Sequence, residues 1–291
     1  MNPPEIIVGV DGSPASRTAL QWAATEAVRR NSQLVVVHVY EWRVIGARVQ
    51  MGGAYADDAR AHAEALLESA VADARSFAPA VNVRGEAVQG SAGPILVGAS
   101  ANSLVVVGSR GRGGFASLLL GSVSQQVATH AAGPVVVVRG RPDIAGPIVV
   151  GVDGSKSANH ALGVAFEEAV ARDTGVVAIR AYTPAKPPWG SDVAPHVEDW
   201  EERKAYEHQI LLDDITEWKD KYPDVSVEQV VAAGHPAEVL TGISSTAQLV
   251  VVGTRGHGGF TGLLLGSVGL QLLHHANSPV LIAREPGAPT R

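Results

Sequence analysis

Runs of Val, Ile and Leu recur along the chain, and between them apolar residues return every three or four positions. In the first half the runs are IIVGV (6–10), LVVVHV (34–39), VNVRGEAV (81–88), LVVVG (104–108) and VVVV (135–138). Residues apolar at consecutive positions suit parallel strands covered on both faces. ASRTALQWAATEAVRR, ADDARAHAEALLESAVADARSF, PILVGAS and the stretch from GSVSQQVATHA carry the helical period. The second half repeats the scheme with IVVGV, VVAIRAY, VSVEQVV, LVVVG and VLIA. This alternation predicts an α/β doubly wound sheet with five parallel strands per half.

The repetition extends to individual residues. VGVDGS stands at 8–13 and 150–155, GSRGRGGFASLLLGSVS at 108–124 answers GTRGHGGFTGLLLGSVG at 253–269, and PVVVVR at 134–139 answers PVLIAR at 279–284. One unit has been written twice. The Pro- and Gly-bearing junction RGRPDIAGP sets expected domains at 1–143 and 144–291. Ser13-Pro14 and Ser155-Lys156 place a capping hydroxyl before the first helix of each half, and His235-Pro236 starts a later one. Long irregular segments at 41–53 and 183–195 read as covers or linkers.

Composition narrows the function. Of 291 residues, 46% are hydrophobic and 18% charged, which fits a folded chain, and the net charge of −6 argues against nucleic acid as a partner. There is no cysteine, so disulfides, thiolate nucleophiles and cysteine metal sites are excluded. The apolar runs are too short for a membrane span, and no signal-peptide pattern opens the chain, so a cytoplasmic location is expected. His274 and His275 are adjacent on a helix rather than four apart, so no metal site is expected.

Ligands of open α/β sheets lie beyond the carboxyl ends of the strands, where strand order reverses. The glycine stretch begins at that edge, with Gly108 and Gly253, and ends at a helix N-terminus, with Gly121-Ser122 and Gly266-Ser267. Free amides and the dipole there attract phosphate. Gly111, Gly113 and Gly114, with Gly256 and Gly258, permit positive φ and an anion nest. Gly121 admits phosphate oxygens where a Cβ would stand, and Ser122 can cap its helix and donate its hydroxyl. Arg110 and Arg112, and then Arg255 and His257, can add positive charge at the rim. The alternative is a glycine-rich connection with no ligand. Asp11 and Asp153 end the first strand of each half, where a carboxylate can accept from adenine or ribose; the alternative is that each only braces its Asp-Gly-Ser turn. Micromolar binding takes about 8 kcal/mol. A helix terminus supplies about 0.3 to 1, or about 2 at best. A phosphate cradle therefore needs a buried base beside it.

These features resemble the universal stress protein family in its tandem form, over nearly the whole chain. The pattern G-x2-G-x9-G-[ST] falls on Gly108, Gly111, Gly121, Ser122 and on Gly253, Gly256, Gly266, Ser267. The resemblance implies two Rossmann-like, adenine nucleotide alpha hydrolase-like sheets of order 3-2-1-4-5, each with ATP and Mg²⁺ at the carboxyl ends. It implies that Asp11 and Asp153 contact the adenosine beside Gly9 and Gly151, that the backbone at Val39 and Ala181 meets adenine, and that Val123 and Val268 lend amides to the phosphates. It also implies pairing of the last strands, 135–138 and 280–283, within the chain or across a homodimer, and a regulatory protein partner. Gly269 replaces Ser124, so the two sites need not be equal. A P-loop lysine is absent and Arg112 becomes His257, so a nucleotide-binding regulatory module is favoured over an ATP hydrolase or phosphotransferase, with a nucleotide-free scaffold as a third reading. No catalytic residue is assigned.

Overall fold

The computed structural model describes residues 5–41, 52–111, 119–183, 200–257 and 264–284, with side chains omitted at 52–56 and 200. The chain divides into two compact units, the first reaching Pro142 and the second spanning Asp143–Ala283. The first contains β1 (Ile6–Gly9), α1 (Pro14–Arg29), β2 (Leu34–Tyr40), α2 (Gly52–Phe77), β3 (Val83–Gln89), α3 (Ala92–Ala99), β4 (Leu104–Gly108), α4 (Ser122–His130) and β5 (Val135–Val138). Its strands lie in the order β3-β2-β1-β4-β5, all parallel, with Ile6 opposite both Leu34 and Leu104. The second contains β6 (Ile148–Gly151), α5 (Lys156–Arg172), β7 (Val176–Tyr182), α6 (Trp200–Lys221), β8 (Val227–Ala233), α7 (Pro236–Ile243), β9 (Leu249–Gly253), α8 (Ser267–His275) and β10 (Val280–Ala283). Its order is β8-β7-β6-β9-β10, again parallel, with Ile148 opposite Val176 and Leu249. This is the expected five-stranded, 3-2-1-4-5 arrangement in each unit.

Burial explains the strand composition. Ile6, Val8, Val105, Val106, Val136 and Val137 are fully buried, as are Ile148, Val150, Val250 and Val251. Strands covered on both faces have no solvent side on which to place a polar residue. The outer strands β3 and β8 are half exposed and correspondingly mixed, VRGEAVQ and VEQVVAA. The first starts at Val83 rather than Val81, because the Val81 N–H closes a turn on the Ala78 carbonyl.

Small residues bring α1 against the sheet: Ala19, Ala23 and Ala24 are fully buried, with Leu20 and Trp22 beside them. Its last turn buries Glu26 completely between Arg29 and Arg30, a pairing that helical periodicity does not reveal. In α5 the matching acid is Glu168, held by Arg172 at 3.0 Å. The second unit packs its helices with aromatic rings. Phe166 stacks on Trp218 and Tyr222 at 6.4 and 5.7 Å, and a Cβ on Gly163 would stand 2.4 Å from the Trp218 ring. Among the described residues no helix is long and apolar enough to cross a membrane.

Ile148 is fully buried in the middle strand of the second unit. Ile148→Ala is expected to cost about 2 to 5 kcal/mol in urea unfolding. The exposed Val170→Ala should stay within about 0.5 kcal/mol of the parent chain.

Candidate functional site

The site is built from where β1 and β6 stop. Pairing continues one residue past β1, with the Val10 N–H on the Val37 carbonyl at 2.9 Å, and the chain then turns. Gly12 and Gly154 sit at φ +78° and +83°, a left-handed conformation that favours glycine. Asp11 Oδ1 accepts the Ser13 N–H at 2.9 Å, and Asp153 Oδ1 the Ser155 N–H at 3.0 Å. The serines cap their helices through the N–H of Ser16 and of Ala158, each at 3.2 Å. Bracing of the turn thus occupies one oxygen of each aspartate. The other reaches across to the glycine loop: Asp153 Oδ2 accepts the His257 N–H at 2.9 Å. A Cβ on Gly256 would stand 2.2 Å from that oxygen, and one on Gly111 would stand 2.6 Å from Asp11 Oδ2.

The glycines have separate reasons. A Cβ on Gly9 or Gly151 would meet Leu96 or Leu240 at 2.8 or 2.9 Å. On Gly108 it would meet the Ala15 carbonyl oxygen, and on Gly253 that of Ser157, each at 2.6 Å. These are close approaches within the protein. Gly121 and Gly266 are different. Their φ is −79° and −72°, open to any residue, and a Cβ on either would be in ordinary contact, with its nearest neighbour at 3.4 Å. Among the described residues, nothing packs closely enough to require glycine at these two positions.

A cleft of about 390 Å³ opens at the carboxyl ends of β1 and β4, lined by Gly9, Asp11, Val39, Gly108, Arg110, Gly111, Gly121, Ser122 and Val123 and by apolar Val37, Leu96, Val107 and Leu120. The second unit has one of about 260 Å³, lined by Gly151, Asp153, Ala181, Gly253, Arg255, Gly256, Gly266, Ser267 and Val268 with Ile179 and Leu240. Both lie where strand order reverses. The first bond of α4 runs from the Gln125 N–H to the Gly121 carbonyl, and that of α8 from Leu270 to Gly266. The N–H groups of Ser122, Val123 and Ser124, and of Ser267, Val268 and Gly269, precede those bonds at the cleft wall. The backbone of Val39 faces the same side as that of Val37, beyond the last residue of β1, as does Ala181 beyond β6.

Several expectations change. Gly111 and Gly256 do not adopt positive φ; what they provide is room for a carboxylate oxygen. Ser122 and Ser267 do not cap their helices, because the cap residues are Gly121 and Gly266, whose own N–H groups bond to the Ser109 and Thr254 carbonyls at 2.8 and 2.7 Å. His257 does not line the second cleft. Its Nε2 stands 3.7 Å from where a Cβ of Gly154 would be, beside Arg180 and Asp214. Arg112, Gly113, Gly114 and Gly258 lie outside the described residues, as do most of the two irregular segments.

Sequence reading missed the surroundings of each cleft. Ser124 Oγ donates to the Gly108 carbonyl at 2.6 Å, whereas a Cβ on Gly269 would be 3.0 Å from Leu265. Burial, and then the charge of Arg110, push the Arg139 guanidinium down to about 10. Two cations therefore stand near the carboxyl ends of β4 and β5. In the second unit, Ser157 Oγ accepts the Thr254 N–H at 2.8 Å, a bond unavailable to Ala15. Among the described residues, no group of three His, Asp or Glu is placed to hold a metal ion.

Fold and cleft together define a doubly wound α/β protein with a crevice repeated at the carboxyl ends of its strands. The model of the universal stress protein family matches residues 4–139 and again 145–284, so the chain belongs to that family, with two domains in tandem. Universal stress protein Rv1996 of Mycobacterium tuberculosis is 37% identical over 310 residues, covering 98% of this chain and 96% of that protein. A crystal structure of a universal stress protein from Archaeoglobus fulgidus covers 99% of this chain and 100% of its own with a TM-score of 0.73; at 19% identity it is a likeness of fold. A universal stress protein crystallised in complex with cAMP matches 50% of this chain and 98% of its own, at 26% identity and a TM-score of 0.36.

The glycines sort themselves in a stability measurement. Gly108→Ala forces a Cβ onto the Ala15 carbonyl and should cost about 1 to 3 kcal/mol, lowering Tm. Gly121→Ala should change Tm little, since the freedom lost by the unfolded chain, worth about 0.4 to 1 kcal/mol, is offset by the loss of a favoured helix-cap residue.

Proposed function

We propose that each unit binds one adenine nucleotide, ATP with its Mg²⁺, and that the chain is a nucleotide-responsive regulatory module of the stress response. The observation that carries this reading is the pair Gly121 and Gly266: no described residue packs closely enough to demand glycine there, at a helix N-terminus, on the wall of a cleft. A phosphate that must approach the backbone closely supplies the missing need. The N–H groups of Val123 and Val268 and the hydroxyls of Ser122 and Ser267 would hold its oxygens, and Arg110 and Arg255 would add charge. Gly9, Gly108, Gly111 and their counterparts Gly151, Gly253 and Gly256 shape the floor.

The base would lie on the apolar wall, against Val37 and Leu96 in the first unit and Ile179 and Leu240 in the second. Its edge would meet backbone groups at Val39 and Ala181, and Asp11 and Asp153 would accept from the adenosine. On the sequence pattern, Arg112, Gly113 and Gly258 would also serve the nucleotide sites, with His257 acting through the N–H that ties its loop to Asp153. Domain limits near 1–143 and 144–291, a cytoplasmic location, pairing through β5 and β10 in the chain or a homodimer, and a regulatory protein partner complete the proposal.

Isothermal titration with ATP and Mg²⁺ tests it. The parent chain should take up two nucleotides, Gly121→Ala and Gly266→Ala one each, and the double variant none at the same concentration. A methyl group forced against phosphate oxygens costs about 1 to 3 kcal/mol, which lowers affinity by about 10- to 100-fold. Unchanged binding in both single variants overturns the cradle, and no heat from the parent chain overturns the nucleotide reading.

A further inference from the structure

One corner of the second unit carries charge that the nucleotide reading does not use. Arg180, on β7, donates to Glu207 Oε2 at 2.5 Å, and Arg203 holds the other oxygen of the same carboxylate at 2.7 Å. Arg180 Nη1 and Asp214 Oδ2 are both buried, 3.9 Å apart, and neither has a hydrogen-bond partner among the described residues. Three tips converge over the α-carbon of Gly154. A Cβ there would lie 3.7 Å from His257 Nε2, 3.8 Å from Arg180 Nη1 and 3.8 Å from Asp214 Oδ2. His257 is thereby drawn across the Asp-Gly-Ser turn, away from the cleft, while its N–H is spent on Asp153.

The first unit lacks this arrangement. Counted back from the helix ends, Ala63 and Ala70 of α2 stand where α6 has Glu207 and Asp214, and His38 stands where β7 has Arg180. His38 Nδ1 donates instead to the Val10 carbonyl at 2.7 Å. The corner itself is a groove of about 790 Å³, bordered by Gly12, Ser13, His62 and Ala70.

We propose that Asp214 is a specificity-determining residue of the second site: it places a carboxylate behind the phosphate loop and draws His257 out of the cleft, so that this site discriminates against highly charged phosphate ligands where the first site does not. The Asp214 side chain is 26% exposed, but its Oδ2 is shielded from water and stands 3.9 Å from Arg180, so on that side the charge is screened less than a fully solvated one. The groups facing it are Arg180 on β7, Asp153 on the turn, His257 on the loop and Asp213 on α6. Burial raises the Asp214 carboxyl above the usual range; Arg180 opposes the shift, Asp153 and Asp213 add to it, and His257 opposes it. Asp214 acts through the loop and its field, with no contact to ligand.

The proposal rests on nucleotide binding by the second unit. The experiment uses Gly121→Ala chain, in which only that site is left, with and without Asp214→Asn, titrated with ATP and separately with adenosine. Asp214→Asn should tighten ATP by about five- to tenfold at low salt and leave adenosine unchanged. Asp214→Glu should behave as the parent. An equal change for both ligands, or no change for ATP, overturns the proposal. Hydrogen exchange of the ligand-free protein separates its failure from that of the nucleotide reading. Asp214→Asn should speed exchange of the His257 amide several-fold and leave the β1 amides as they were; an unaltered His257 amide overturns the proposal whether or not either unit binds nucleotide.

Discussion

The second unit is organised by one aspartate that serves two segments of backbone. Asp153 holds the Ser155 amide with one oxygen and the His257 amide with the other, so the turn that starts α5 and the loop that follows β9 are fixed to each other. A carboxylate with both oxygens hydrogen-bonded to amides is a stable hub, since charge-assisted bonds are about twice as strong as neutral ones. The loop can approach only because Gly256 has no side chain, and the turn can form only because Gly154 accepts a left-handed φ. From this hub the loop leads back to Gly266, the start of α8 and the open amides of its first turn.

That hub also orders the glycines by cause. A glycine-rich stretch in a sequence invites one explanation for all its members, and here there are three. Gly108 yields to the backbone of α1, Gly111 to a carboxylate, and Gly121 to no described residue. Only the last kind leaves room for a ligand as its cause. The spacing G-x2-G-x9-G-[ST] is thus in large part a record of how α1 and the Asp-Gly-Ser turn pack.

Most of the fold was legible in the sequence because parallel strands buried on both faces write themselves as unbroken Val and Ile runs, and because every element appears twice. The capping serines, Pro14 and Pro236 fixed three helix starts by local chemistry alone. The site was legible in its main-chain components and less so in its charged ones. Long side chains such as His257 and Arg180 choose their direction from partners remote in sequence, and a motif contains no record of Asp214 on α6. The buried Glu26 was hidden for a different reason: its partners Arg29 and Arg30 are near in sequence, but only the packing of α1 removes it from water. The outer strand β3 began two residues late because a turn at Ala78–Val81 takes up the first apolar position.

Duplication turns the chain into its own comparison. Residues bound to the hub, Asp11 with Asp153, Gly111 with Gly256, Ser13 with Ser155, are the same in both copies, because a change in one would leave an amide or a carboxylate without its bond at a cost of about 1 to 3 kcal/mol. Residues one shell outward have drifted: Ala15 against Ser157, Ser16 against Ala158, Ser124 against Gly269, His38 against Arg180, Ala70 against Asp214. Ser16 receives the Asp11 N–H inside its own turn, whereas Ser157 receives the Thr254 N–H from the glycine stretch, so the added hydroxyl braces a different segment in each copy. Two clefts with one skeleton and different surrounding charge need not answer to the same ligand concentration. On the nucleotide reading proposed above, two sites with counterpart arginines, Arg110 and Arg139 in one and Arg255 and Arg284 in the other, but with Asp214 behind only the second, would register a pool over a wider span than two equal sites.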